Sequence, residues 1–132
     1  MSWKTWRAST AAILFGFVVL LGARAEEAKP KDEGKAEDYK SKAYDVKEKG
    51  EVAVLLTFPG GKKATLTVRC DKKSDVNLFV YNDAKKEVAK DDSDGPDCDV
   101  TFTPKEDGTF KLVIRNLGPG DNRATLKVDV AK

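Results

Sequence analysis

Short stretches in which apolar and polar residues alternate are the feature that most constrains this chain of 132 residues. They recur from about residue 52 to residue 130, separated by clusters of Gly, Pro, Asp and Asn such as 59–61 and 118–122. Alternation with a period of two predicts strands that bury every second side chain. One buried face per sheet requires a second sheet to cover it. The sequence therefore predicts a small all-β domain, an antiparallel β-sandwich.

The predicted inward positions share one parity within each segment. They are Val52, Val54, Leu56, Phe58, Leu66, Val68, Cys70, Val76, Leu78, Val80, Cys98, Val100, Phe102, Phe110, Leu112, Ile114, Ala124, Leu126, Val128 and Val130. Val88 is the lone apolar residue of a short segment, which favours an edge strand.

Residues 1–25 have the pattern of a secretory signal peptide. Lys4 and Arg7 precede an apolar run at 11–21, and Ala23-Arg24-Ala25 is a small-x-small cleavage sequence. The run is shorter than the roughly 20 residues needed to span a bilayer. We therefore expect cleavage before Glu26, no stable membrane insertion afterwards, and a secreted or periplasmic product.

Residues 26–42 carry many charges and little apolar surface, a composition typical of disordered chains. We expect a flexible linker there and a folded domain at 43–132. A short helix with charge pairs, or a spacer, are the alternatives.

The region 76–116 resembles the bacterial pre-peptidase C-terminal domain, and the resemblance covers most of residues 43–130. The matching elements are a strand at 77–83, a short strand at 87–90, an acidic turn at 91–97, a Thr-Phe-Thr-Pro strand end at 101–104 and a Gly-Thr-Phe strand at 108–116 that closes in Arg-Asn. The resemblance implies a secreted, jelly-roll-like β-sandwich that usually follows a catalytic domain. It also implies an accessory role, because some relatives bind fibrous protein through a sheet face and some bind calcium.

The two cysteines, Cys70 and Cys98, are both in phase with inward rows. An exported domain meets an oxidising compartment, which favours a disulfide between them. Two separate buried thiols are the alternative. A redox pair is disfavoured because there is no Cys-x-x-Cys spacing.

The turn at 91–97 is rich in carboxylates, which are ligands that calcium prefers. Asp91, Asp92, Asp94 and Asp97 are candidate calcium ligands. Their spacing lacks the helix-loop-helix calcium pattern. The alternative is a solvated turn in which aspartates cap backbone N–H groups.

Composition argues against several classes of function. The sequence contains no histidine, the usual general base near neutral pH, so we expect no enzyme. Without Lys4, Arg7 and Arg24, 21 basic residues face 22 acidic residues, and the two signs are interleaved. A nucleic-acid binder would show a basic stripe, so we expect no nucleic-acid partner.

Phe79 and Tyr81 occupy outward positions of a strand and are the candidate binding residues. The alternative is that Phe79 packs under a loop and Tyr81 ends the strand. The sequence predicts a monomeric, exported, non-catalytic module for extracellular protein contact or stabilisation. The second hypothesis is a calcium-dependent module that binds a fibrous protein, a glycan or a cell surface.

Overall fold

A computed structural model describes residues 29–132 as nine strands and one helical turn. The elements are β1 (Pro30–Lys35), α1 (Ala36–Tyr39), β2 (Ser41–Val46), β3 (Glu51–Phe58), β4 (Ala64–Cys70), β5 (Asp75–Tyr81), β6 (Glu87–Asp91), β7 (Cys98–Phe102), β8 (Gly108–Gly118) and β9 (Asn122–Val130). The predicted signal peptide lies outside the described residues.

The strands form two sheets. The larger sheet has the order β1-β3-β8-β5-β6 and the smaller has the order β2-β9-β4-β7. All neighbouring strands are antiparallel except β1 and β3, which are parallel. The predicted all-β sandwich is confirmed, and the parallel pair is an addition to it.

The core fills the space between the sheets. Leu66, Leu78, Leu112 and Leu126 are almost completely shielded from water, each contributing an inward side chain from a different strand. Burying such a side chain contributes about 1.5–3 kcal/mol. The period-two rows of the sequence are therefore what joins the two sheets.

One end of the core is aromatic. The Phe58 ring meets Phe102 edge-on at a centroid distance of 5.1 Å and meets Phe110 at 5.6 Å, while Phe102 and Phe110 lie 5.2 Å apart. Edge-to-face contacts of this kind favour aromatic pairs beyond their area alone. The cluster connects β3 and β8 of the larger sheet to β7 of the smaller.

The linker prediction is wrong for the described part of 26–42. Pro30–Lys35 pairs with β3 as an edge strand, α1 follows, and β2 begins at Ser41. An edge strand needs backbone hydrogen bonds on one side only, so a polar composition does not exclude it. Ala36, which is 1% exposed, anchors the segment to the core.

A tyrosine pair fastens this N-terminal segment. The hydroxyls of Tyr39 and Tyr44 lie 2.5 Å apart, and Tyr44 donates to Asp32 Oδ2 at 2.9 Å. Lys42 Nζ lies 2.7 Å from the same carboxylate oxygen. The hydrogen bonds from Lys42 and Tyr44 lower the pKa of Asp32. Burial raises the pKa of Tyr39 to about 12 and also raises the pKa of Tyr44.

These raised pKa values predict alkaline destabilisation. The unfolded tyrosine ionises near its ordinary value of 10.0, whereas folded Tyr39 does so at about 12. The stabilisation is therefore complete below pH 10 and is lost as the pH rises towards 12. We expect the melting temperature to fall across this range, and to fall less steeply in a Tyr39→Phe/Tyr44→Phe variant. Equal slopes for the two proteins would contradict the assignment.

Candidate functional site

The two outer faces of the sandwich differ in chemistry. Outward positions of the smaller sheet carry threonines and ion pairs such as Arg69–Asp99 and Arg123–Asp45, each at 3.0 Å. The outward positions of the larger sheet instead include three partly exposed residues, Leu55, Phe79 and Tyr81, and Val113, which is only 4% exposed. Apolar side chains gathered on one face of a sandwich mark a candidate contact surface.

Strand register brings these residues together. Phe79 of β5 lies opposite Val113 of β8, and Val113 lies opposite Ala53 of β3. In the next row Tyr81 lies opposite Lys111, and Lys111 lies opposite Leu55. The pairing thus places the aromatic side chains of β5 beside aliphatic side chains of β8 and β3. We call this group of residues the outer patch: Leu55, Phe79, Tyr81, Val113 and Arg115.

The aromatic side chains of the outer patch are held in place by stacking. The Phe79 and Tyr81 rings lie 6.4 Å apart with 25° between their planes. The Arg115 guanidinium lies 5.2 Å from the centre of the Phe79 ring. Arg115 is itself held by Glu51, whose Oε2 accepts from Nε at 3.0 Å and lies 3.0 Å from Nη2. The result is a row of three planar groups with little freedom to reorient.

A groove of about 400 Å³ lies next to this row. Its lining includes Pro30, Leu55, Tyr81, Lys85, Lys111 and Val113. Leu55 and Val113 give the groove an apolar lining, and Tyr81 adds an aromatic ring to it. Ligand pockets commonly have an apolar lining with a few polar groups.

The tight turn at 82–86, which follows Tyr81, also lines the groove. Asn82 Oδ1 accepts hydrogen bonds from the backbone N–H groups of Ala84 and Lys86, each at 2.9 Å. Asn82 and Lys86 also share a backbone hydrogen bond, and Lys85 N donates to the Asn82 carbonyl. Lys85 adopts a φ of 65°, which the turn geometry requires. The turn therefore has a fixed shape before any ligand arrives.

The structure keeps Phe79 and Tyr81 on the outward face, each partly exposed, as the sequence predicts. Leu55, Val113 and Arg115 were missed by sequence reasoning. A signal for the first two was present, because both are apolar residues out of phase with the inward rows of their strands. Arg115 carried no such signal, since arginine is ordinary at an outward position.

The acidic turn is organised by hydrogen bonds. Asp91 Oδ1 accepts from the Ser93 N–H at 3.1 Å and hydroxyl at 2.6 Å, and Asp91 Oδ2 accepts from the Asp99 N–H at 2.8 Å. Burial raises the pKa of Asp91, but these hydrogen bonds outweigh it and lower the pKa overall. Asp92 pairs with Lys90 at 3.2 Å.

The described residues contain no group of three or more His, Cys, Asp or Glu side chains arranged to hold a metal. Calcium binding by Asp91, Asp92, Asp94 and Asp97 stays a prediction. Both oxygens of Asp91 already cap backbone N–H groups, as in the capped-turn alternative.

The structure contains Cys70 and Cys98 as free thiols, so the predicted disulfide is absent. Cys98 lies opposite Val68, and Cys70 lies opposite Ala124. The cysteines are thus diagonal neighbours, for which Cα spacing is roughly 7–8 Å. A disulfide requires about 4.4–6.8 Å. The alternation of apolar and polar residues predicted that both cysteines point into the core, but it could not reveal the register between β4 and β7.

Both thiols should react slowly in the folded protein. Burial raises the pKa of Cys70 from its ordinary value of 9.0 to about 11 and that of Cys98 to about 12. Cys98 also donates a hydrogen bond to the Val76 carbonyl at 3.1 Å. At pH 8 the thiolate fraction of Cys70 is then about a hundredfold lower than that of a cysteine with the ordinary pKa.

We expect iodoacetamide to alkylate the native protein at least that much more slowly than an exposed thiol, and the unfolded protein to take up one label on each cysteine. Mass spectrometry follows both. Failure of unfolded, unreduced protein to react would show a bridge instead.

No family model matches the chain, and no curated protein matches it in sequence. Among solved structures, it is similar to the pre-peptidase C-terminal domain of collagenase from Bacillus anthracis, with a TM-score of 0.59 and 13% identity. That match covers 78% of this chain and 99% of the other. The two share a fold.

The structural match confirms the resemblance found in the sequence at the level of architecture. A second similar structure is PliG from Aeromonas hydrophila, a periplasmic lysozyme inhibitor of g-type lysozyme, with a TM-score of 0.44 and 11% identity. The match covers 74% of this chain and 99% of the inhibitor. At this score the second similarity supports no conclusion about the present chain. Within residues 29–132 no helix has the length and apolar character to cross a membrane.

Proposed function

We propose that this protein is an exported, non-catalytic binding module that contacts another protein outside the cytoplasm through the outer patch. The observation that carries the proposal is the asymmetry of the two sheets. One outer face is covered by threonines and ion pairs, while the other gathers two stacked aromatics, an arginine and an aliphatic strip. Aromatic and arginine side chains dominate the binding energy of protein interfaces.

Three further features support a binding role over catalysis. The sequence has no histidine, and the described residues form no cluster suited to a metal. Burial keeps both cysteines protonated near neutral pH, so neither is an activated nucleophile. The leader-like residues 1–25 support export.

A photo-crosslinking amino acid placed at position 79 of the exported chain tests the proposal. We expect adducts with one defined extracellular or periplasmic protein, identified by mass spectrometry. Arg115→Glu, which removes the stacked guanidinium and repels Glu51, should abolish them.

The same crosslinker at position 67, on the threonine-rich outer face of the smaller sheet, is the control. Equal adducts at 67 and 79, or adducts unaffected by Arg115→Glu, would reject the outer patch as the contact surface.

A further inference from the structure

Residues 30–39, which we call the arm, bury little apolar surface. No side chain of β1 is buried. Of the arm's side chains, only Ala36, which is 1% exposed, and the partly buried Tyr39 pack against the core. A groove of about 480 Å³ is lined by Glu37 on the arm side and by Val128 of β9 on the other. The arm is therefore held mainly by hydrogen bonds and by one ion pair.

These contacts join the arm to parts of the chain beyond residue 40. The backbone of β1 pairs with that of β3, and the Tyr39 hydroxyl lies 2.5 Å from the Tyr44 hydroxyl. Asp32 accepts a hydrogen bond from Tyr44 and forms an ion pair with Lys42. A second copy of the chain offers all of these partners in the same arrangement. The contacts of the arm can therefore form within one copy or between two.

Lys40 is the single residue between the arm and the rest of the domain, because α1 ends at Tyr39 and β2 begins at Ser41. Its φ is 67° and its ψ is −98°, outside the left-handed region that residues with positive φ usually adopt. Such a backbone costs free energy and persists only where its surroundings impose it. Pairing on both sides imposes it here: β1 is fixed to β3, and the Lys40 carbonyl accepts from the Val128 N–H at 2.8 Å.

We propose that two copies of this protein exchange their arms across Lys40 and form a domain-swapped dimer. Each arm then makes its contacts with the other copy, while Lys40 is free to become extended. The dimer relieves the strain of two hinges, keeps every contact of the arm, and leaves β1 as an edge strand. Short connections under strain favour this kind of exchange. The monomer that the sequence predicts is then one of two forms in equilibrium.

The exchange has a consequence for the groove beside Tyr81. Pro30, at the start of the arm, is one of the residues that line this groove. Each of the two grooves in the dimer is therefore completed by Pro30 of the other copy. The dimer also carries two outer patches, which strengthens binding to a target that offers two sites. Dimer formation itself does not depend on the proposed function.

Refolding at rising concentration tests the proposal. The exported protein is refolded from urea at up to about 1 mM, and its dimer content is measured by size-exclusion chromatography with light scattering. A Lys35→Cys chain is also refolded together with a Thr57→Cys chain, because positions 35 and 57 are partners in the β1–β3 register. Under oxidation, a disulfide joins these positions between two copies if the arms are exchanged.

A second pair of chains is the control for the disulfide. Thr65→Cys and Thr101→Cys alter partners in the register of β4 and β7, and both strands lie on the same side of the hinge. Exchange of arms does not bring them together between copies. Mass spectrometry of the linked peptides identifies which positions are joined.

We expect a dimer, a 35–57 link between copies and no 65–101 link. Lys40→Gly, which adopts a positive φ without strain, should lower the association constant of the dimer by at least about tenfold. Lys40→Val should raise it by about tenfold, because a β-branched residue resists positive φ. Lys85→Gly, which alters a residue with a φ of 65° away from the arm, should leave it unchanged.

Three results overturn the inference: no dimer of the unaltered protein at about 1 mM, a dimer without the 35–57 link, or equal effects of Lys40→Gly and Lys85→Gly. Circular dichroism shows whether each variant is folded, and Lys40→Gly keeps the test decisive if Lys40→Val is not. Crosslinks from position 79 to a different protein do not depend on exchange of the arms, so failure of the dimer is distinguishable from failure of the proposed function.

Discussion

Replacing Phe58 with alanine is expected to lower the free energy of unfolding by about 3–5 kcal/mol. Phe58 is 1% exposed and its ring contacts Phe102 and Phe110. The substitution removes transfer free energy, leaves a cavity and deletes two edge-to-face contacts, of which the one with Phe102 joins the two sheets. A domain of this size has about 5–15 kcal/mol in total, so the variant should be near the limit of folding.

Urea unfolding monitored by circular dichroism measures the change, and Phe79→Ala is the matched control. Phe79 lies on the outer patch and is partly exposed, so its loss should cost about 1 kcal/mol. Similar costs for the two phenylalanines would contradict the assignment of one to the core and the other to the surface.

Replacing Asn116 with leucine is expected to be almost as damaging, for a different reason. Asn116 is 0% exposed, and its amide donates to the Val46 carbonyl at 3.1 Å and the Gly120 carbonyl at 2.8 Å. Its Oδ1 accepts from the Gly118 N–H at 2.8 Å. The change leaves these backbone groups without partners in the protein interior, at about 1–3 kcal/mol each, so we expect a loss of roughly 3 kcal/mol or more.

Asn82→Ala provides the comparison. Asn82 also caps two backbone N–H groups, but at the surface, where water replaces the lost hydrogen bonds. The loss there should stay near 1 kcal/mol or below. If both variants lose the same stability, burial is not what makes the Asn116 hydrogen bonds important.

Periodicity predicted the sandwich because the inward rows are long and regular. In β4, for example, Leu66 and Val68 point to the same face of the strand and are both fully buried, as are Leu112 and Ile114 in β8. The N-terminal segment was mispredicted because its order depends on backbone pairing with β3 and on the contacts of Tyr39 and Tyr44. Both are tertiary interactions, which composition does not report.

For the candidate site, the sequence yielded two residues but not their surroundings. Phe79 and Tyr81 were found because they alternate with the inward residues of their strand. Their relation to Leu55 and Arg115 depends on the order of strands in the sheet, which places β3, β8 and β5 side by side. The missing disulfide has the same origin, since a register offset separates Cys70 from Cys98.

The polar border strand Pro30–Lys35 has a consequence for behaviour at high concentration. Its side chains are exposed or partly exposed along the whole strand, and its sequence is rich in lysine and carboxylates and begins with proline. Charged side chains and a proline at a sheet edge both disfavour pairing with another chain. We therefore expect this edge to be a poor template for pairing with another chain, even though the strand adds little to the core.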